Sequence, residues 1–219
     1  MNNSKHKNME FEKNELRTTG TPLADAEYAL IMIHGRGASA EGMLSLASYL
    51  ELPAQTAVLA PQAERNTWYP ASFIAPIAVN QPYLEKALSQ IDALVAEILN
   101  AGIPKGKIFF LGFSQGACLT LEYLCRHATG YAGVVAFTGG LIGERLEMEN
   151  YKGDFAQTPI LITTSNPDHH VPLRRVKDSG CQLERMNAMI TVVAYPGKAH
   201  NISDEEIELA NKVVFNKTT

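Results

Sequence analysis

The stretch Gly112-Phe113-Ser114-Gln115-Gly116 constrains this chain more than any other, because an apolar run ends there and a helical pattern begins. The run before it, Ile108-Phe109-Phe110-Leu111, is continuously apolar and rich in β-formers, which fits a parallel strand buried on both faces. After it, Ala117, Leu121, Leu124 and Ala128 recur at helical spacing. A serine caught in the sharp turn between strand and helix adopts a strained backbone, and only small neighbours leave room for it. Gly112 and Gly116 meet that requirement, and the Ser114 hydroxyl would stand exposed above the sheet.

Along the chain, strand and helix signals alternate around this turn. Residues 1–10 are almost without apolar side chains and are expected to form a mobile tail, leaving 11–219 as one domain. An edge strand or hairpin is expected over 11–19 and strands over 28–33 and 56–60, with a helix over 39–50 that Ser39 caps. Leu84, Ala87, Leu88, Ile91, Leu94, Val95, Ile98 and Leu99 give the clearest amphipathic helix, over 83–101, and Gly102 stops it. Strands over 133–138, 159–165 and 188–195 and helices over 171–187 and 202–215 complete the pattern. Such alternation predicts an open, mostly parallel sheet with helices on both faces. Residues 61–82, punctuated by Pro61, Pro70, Pro76 and Pro82, are the one long irregular stretch. Its apolar side chains either tuck onto the core or wall a pocket; Trp68, Tyr69, Phe73 and Ile74 are the candidate wall, with Leu141 added from beyond the strand over 133–138.

A serine hydroxyl attacks well only when a base takes its proton, and that base needs an orienting carboxylate. Of the six histidines, His6 lies in the tail, His127 ends the helix leading away from Ser114, and His169 and His170 share a loop with the best acid candidate. His200 follows the last strand, at the sheet edge where Ser114 must also lie. Asp168 follows the strand over 159–165 on that same edge, whereas Asp154 precedes that strand and Asp178 lies well beyond it. The chain order is then serine, aspartate, histidine. Charge developing on an acyl oxygen needs two N–H donors: Gln115, next to the serine, and Arg36 in the loop His34-Gly35-Arg36-Gly37. Only the backbone of Arg36 is given a task on this reading, and His34 is expected to brace the loop.

A length of 219 residues with 46% hydrophobic side chains is enough for one substantial core. The net charge of -4, with no basic stripe, argues against nucleic acid as a partner, and no apolar run is long enough to insert into a membrane. Cys118, Cys125 and Cys181 show no metal spacing, and the polar start of the chain carries no secretory leader, so a cytoplasmic protein with reduced thiols is expected. Cys118 and Cys125 fall on the core face of the helix after Ser114.

Taken together, His34-Gly35-Arg36-Gly37, Ala60-Pro61 with Asn66-Thr67-Trp68-Tyr69, Gly112-Phe113-Ser114-Gln115-Gly116-Ala117, Asp168-x-x-Val171-Pro172 and the late His200 resemble the phospholipase/carboxylesterase family of α/β-hydrolases, which includes acyl-protein thioesterases. The resemblance spans about residues 25–215. It implies an α/β-hydrolase fold, a triad of Ser114, Asp168 and His200, and Arg36 and Gln115 as oxyanion donors through their backbones. It implies no metal and no organic cofactor. Asn166 departs from relatives that carry a further acid there, and Arg36 differs from the residue usual in thioesterases, which favours ester over thioester substrates. The expected activity is hydrolysis of short to medium acyl esters by a monomer or homodimer without a separate cap domain. Thioesterase or lysophospholipase activity is the alternative within the family, and a ligand receptor with an idle triad is the alternative outside it.

Overall fold

The computed structural model describes residues 16–216. The tail expected over 1–10 and the first part of the strand expected over 11–19 lie outside the described residues. Seven strands form one sheet in the order β1-β3-β2-β4-β5-β6-β7. They are β1 (Leu16–Gly20), β2 (Tyr28–Ile33), β3 (Thr56–Pro61), β4 (Ile108–Phe113), β5 (Gly133–Phe137), β6 (Pro159–Asn166) and β7 (Met189–Pro196). Only β1 runs antiparallel, pairing Leu16 with Pro61 at the edge; the other pairs are parallel. Parallel strands need crossovers, and the helices that make them cover both faces.

Alternation along each strand decides what packs on which face. Ala29, Ile31, Ile33, Phe110, Ala136 and Ile162 point to the face covered by α3 (Tyr83–Asn100), α4 (Gln115–Arg126) and α5 (Leu173–Arg185). Leu30, Met32, Phe109, Leu111, Phe137 and Leu161 point to the other, under α1 (Ala40–Leu46) and α6 (Asp204–Ala210). In α3 the side chains of Leu84, Leu88, Ile91, Leu94, Val95 and Ile98 are all buried. Each such side chain contributes about 1.5–3 kcal/mol on leaving water.

Two helices are shorter than the sequence pattern. Ser39 does cap α1, accepting from the Gly42 N–H, but the helix tightens after Leu46 into a turn over Ala47–Tyr49. The stretch over 202–215 divides into α6 and a wider turn at Asn211–Phe215. There the Asn211 side chain accepts from Glu51 N and donates to Tyr49 O, bridging the tightened end of one helix and the widened end of the other. The irregular stretch over 61–82 holds a 3-10 turn at Glu64–Asn66 and one short helix, α2 (Ile77–Asn80). No helix among the described residues is long and apolar enough to cross a membrane.

Candidate active site

β4 delivers Ser114 to the carboxyl edge of the sheet with φ 52° and ψ -116°, a conformation that costs a residue with a Cβ of order 1–3 kcal/mol. Steric need explains both flanking glycines. A Cβ on Gly112 would lie 2.5 Å from Gly116 O, and a Cβ on Gly116 would lie 2.1 Å from Ile33 O. The chain can therefore turn from β4 into α4 directly beside the end of β2 only with these two residues bare.

Asp168 and His200 arrive from the ends of β6 and β7. The His200 ring spans the gap, with Nε2 2.8 Å from Ser114 Oγ and Nδ1 2.8 Å from Asp168 Oδ2. A carboxylate only accepts, so Nδ1 carries the proton and Nε2 presents its lone pair to the serine hydroxyl, which donates. The other oxygen, Asp168 Oδ1, accepts from the N–H groups of His170 and Val171, both at 2.8 Å. Burial works against ionisation of Asp168, but the bonds from His200 and these two N–H groups outweigh it and hold the carboxyl below its usual range. Asp154, by contrast, is occupied by Ala156 N and Asn187 Nδ2 away from the site.

A buried ion pair fixes the loop that carries His200. Lys198 Nζ lies 3.0 Å from Glu206 Oε2 and donates to the carbonyls of Ala199 and Asn201, on either side of the histidine. Glu206 is fully buried; it accepts from Thr163 Oγ1 of β6 at 2.5 Å and from Ser203 N at 2.9 Å. One carboxylate thus ties together the strand before Asp168, the His200 loop and the start of α6. Nothing in the sequence pattern marks this pair as such, although Ser203-Asp204-Glu205-Glu206 is a capping box legible from spacing alone.

The loop after β2 lies against the elbow, since a Cβ on Gly35 would come within 3.4 Å of Ser114 Cβ. His34 is a brace, as expected: Nδ1 donates to Gly35 O at 2.7 Å and Nε2 accepts from Ala63 N at 3.1 Å. Burial, only partly offset by the Gly35 carbonyl, holds its pKa down and keeps the ring neutral. Gln115 opens α4, so its N–H has no acceptor within the helix, and the Arg36 N–H takes no part in the backbone bonds that join the loops. Neither N–H meets a hydrogen-bond acceptor among the described residues.

A cavity of about 460 Å³ opens at Ser114 and His200, walled by Tyr69, Phe73, Ile74, Phe113, Val171 and Cys118. Three of the five predicted wall residues are there. Trp68 is not: its ring packs 4.9 Å from that of His34, its Nε1 donates to His34 O, and it lines a separate cavity of about 280 Å³ beyond Tyr69. Leu141 is also misplaced by the sequence reading, being fully buried with its N–H on Ser179 Oγ. An apolar loop residue serves core and pocket equally well, so composition could not separate them. Cys118 does reach the cavity wall, but burial pushes its thiol up to about 12, and it is no competing nucleophile. Cys125 is buried as expected.

An open parallel sheet with one antiparallel edge strand, and a serine at a strained strand-to-helix turn facing histidine and aspartate from later strands, define an α/β-hydrolase. The sequence model of the phospholipase/carboxylesterase family matches residues 19–216, and the chain belongs to that family. The crystal structure of a phospholipase/carboxylesterase from Dyadobacter fermentans superposes with a TM-score of 0.90 at 52% identity, covering 91% of this chain and 95% of that one. An acyl-protein thioesterase 1 of Debaryomyces hansenii is 27% identical over 83% of this chain and 88% of its own length. A probable carboxylesterase of Oryza sativa subsp. japonica is 30% identical over 56% of this chain, which spans about half (46%) of that relative's length.

Proposed function

We propose that the protein is a serine carboxylic-ester hydrolase working through an acyl-enzyme. The observation that carries this is the unbroken relay Asp168–His200–Ser114, both links at 2.8 Å, ending at a serine held in a strained elbow beside two unused N–H donors. As Ser114 Oγ bonds to the ester carbonyl carbon, its proton passes to His200 Nε2, and the charge forming on the carbonyl oxygen is met by the N–H groups of Arg36 and Gln115. The tetrahedral adduct collapses; the C–O bond to the alcohol breaks, and His200 returns the proton to the leaving oxygen. Water then repeats the cycle on the acyl-serine, with His200 as base, and releases the acid. Asp168 keeps Nδ1 protonated throughout. A fluorophosphonate probe should label Ser114 in the wild-type protein and not in Ser114→Ala; an unlabelled wild type with no turnover on a panel of acyl esters would leave a ligand receptor as the better reading.

Kinship with proteins named acyl-protein thioesterases supports a second reading, thioester hydrolysis. The same acyl group offered as oxygen ester and as thioester separates the two, and the oxygen ester is expected to be the better substrate.

The shape of the cavity sets an expected acyl preference. Its apolar wall is short, and Ile74 at its rim is 37% exposed, so a long chain would leave the wall for water. Each methylene covered is worth about 0.8 kcal/mol, or roughly fourfold in kcat/KM, until the wall runs out. Across p-nitrophenyl esters from acetate to palmitate, kcat/KM is therefore expected to peak at short to medium chains, and Phe73→Ala to flatten the rise. An optimum at palmitate with little turnover of butyrate would count against this and favour the lysophospholipase alternative.

A further inference from the structure

The two proposed oxyanion donors sit on different elements, Arg36 on the loop after β2 and Gln115 at the start of α4, yet their side chains converge on one atom. Arg36 Nη2 donates to Tyr69 O at 2.9 Å, and Gln115 Nε2 donates to the same carbonyl oxygen at 2.8 Å. Arg36 extends the contact to the next two carbonyls, with Nη1 2.8 Å from Pro70 O and Nη2 2.8 Å from Ala71 O. Gln115 extends it the other way, its Oε1 accepting from Trp68 N at 3.0 Å. The segment they grip is itself held from behind, where fully buried Asn80 accepts from Ala71 N and donates to Ser72 O. Gly37 N on Asn66 O at 2.7 Å joins the arginine loop to the same segment.

From this we infer that the guanidinium of Arg36 is a positioning residue for the transition state. Acting with the Gln115 amide through the Tyr69 carbonyl, it fixes the separation of the two backbone N–H groups and makes the cavity wall one piece with the oxyanion hole. The inference rests on the serine-hydrolase reading above. It follows from a mechanical need: Arg36 stands between two glycines, the second with φ +76°, so the loop's own backbone gives it little stiffness. Donors must be placed to within a fraction of an ångström of the oxyanion, and an error of about 1 Å can cost on the order of a hundredfold in rate. A planar cation with five N–H donors in a rigid fork reaches three successive carbonyls from two nitrogens; the single nitrogen of a lysine cannot reproduce that spacing, and an alkyl side chain donates nothing. This changes the expectation for Arg36 drawn from sequence, where only its backbone was given a task.

The test compares wild type, Arg36→Met, Arg36→Lys, Gln115→Met and the Arg36→Met/Gln115→Met double variant on p-nitrophenyl butyrate, with inhibition by a matching trifluoromethyl ketone, which adds to the serine as a tetrahedral oxyanion. Arg36→Met is expected to lower kcat roughly 30-fold, to weaken ketone binding by a similar factor, and to leave KM within about threefold. Arg36→Lys should fall between it and wild type; it decides by the same criteria if Arg36→Met does not fold. The double variant should lose much less than the product of the single losses, because both side chains act through one carbonyl. The inference is overturned if Arg36→Met keeps kcat within twofold, if KM alone moves while ketone affinity and kcat stand, or if the two losses multiply. A wild type that neither labels with fluorophosphonate nor turns over ester would instead overturn the underlying hydrolase reading.

Discussion

Ser114→Ala and His200→Ala are each expected to lower kcat by roughly four to six orders of magnitude in a protein that still folds, because members of such a triad act as a unit. Ser114→Ala loses one hydrogen bond, a matter of about 1 kcal/mol, and His200→Ala two, one of them to a carboxylate, so thermal unfolding should move by a few degrees in the first and somewhat more in the second. Asp168→Asn is a sharper test, since its outcome follows from the partners of both oxygens. The N–H groups of His170 and Val171 face the position of Oδ1 and will hold the amide oxygen there, which turns the Asn NH2 toward His200 Nδ1. That nitrogen must then accept, the proton moves to Nε2, and the ring offers Ser114 a donor where it needs a base. A loss of about four orders of magnitude in kcat, with KM little changed, is expected. On acidification the Asp168 carboxyl, held below its usual range, stays ionised further than an ordinary aspartate and goes on accepting from His200 Nδ1. Near-normal turnover by a folded Ser114→Ala protein would end the hydrolase reading.

What could be read from the sequence was whatever depends on local pattern. The unbroken apolar run Ile108-Phe109-Phe110-Leu111 can only be satisfied inside a sheet, and the glycines around Ser114 mark a turn whose geometry leaves few alternatives. Asp168 and His200 were accessible for a topological reason: in a parallel sheet every strand ends at one edge, so residues that follow strands meet there whatever their separation in the chain. Side-chain partnerships across loops carry no such regularity. Trp68 and Tyr69 are adjacent, equally aromatic and equally buried, yet one faces His34 and the other the Ser114 cavity, and hydropathy does not distinguish them. Charged residues mislead in the opposite direction. Glu206, Lys198 and Arg36 would by type be solvated, but each spends its polar atoms on backbone or on a buried partner close to the site. Burying a carboxylate such as that of Glu206 is tolerable only with its bonds made, which suits it to a place where a loop has to be held in one position.

Gly116→Ala is expected to damage fold and activity together, although local propensity argues the reverse. Gly116 lies in the first turn of α4, and replacing a helical glycine by alanine ordinarily gains about 1 kcal/mol. Here the added methyl would stand 2.1 Å from Ile33 O and 2.6 Å from His34 O. Those are backbone atoms of β2 and of the loop that follows it, so no rotamer change relieves the contact. Overpacking of this kind costs about 1–3 kcal/mol or more, and with nothing flexible to yield the upper end applies. The clash therefore outweighs the propensity gain, and Tm should fall by roughly 4–8 °C for a chain of this size. The displacement also parts Gln115 from the loop carrying Arg36, so kcat should drop on the order of a hundredfold with KM less affected. Gly42→Ala supplies the control. Gly42 lies in α1 with its nearest neighbour, Ser39 Oγ, 3.5 Å from the added Cβ, so the propensity gain is unopposed. That variant should raise Tm by roughly 2–4 °C at unchanged kcat. Were Gly116→Ala to match Gly42→Ala in Tm and keep wild-type kcat, the tight approach of α4 to the end of β2 would not be the feature that sets the elbow.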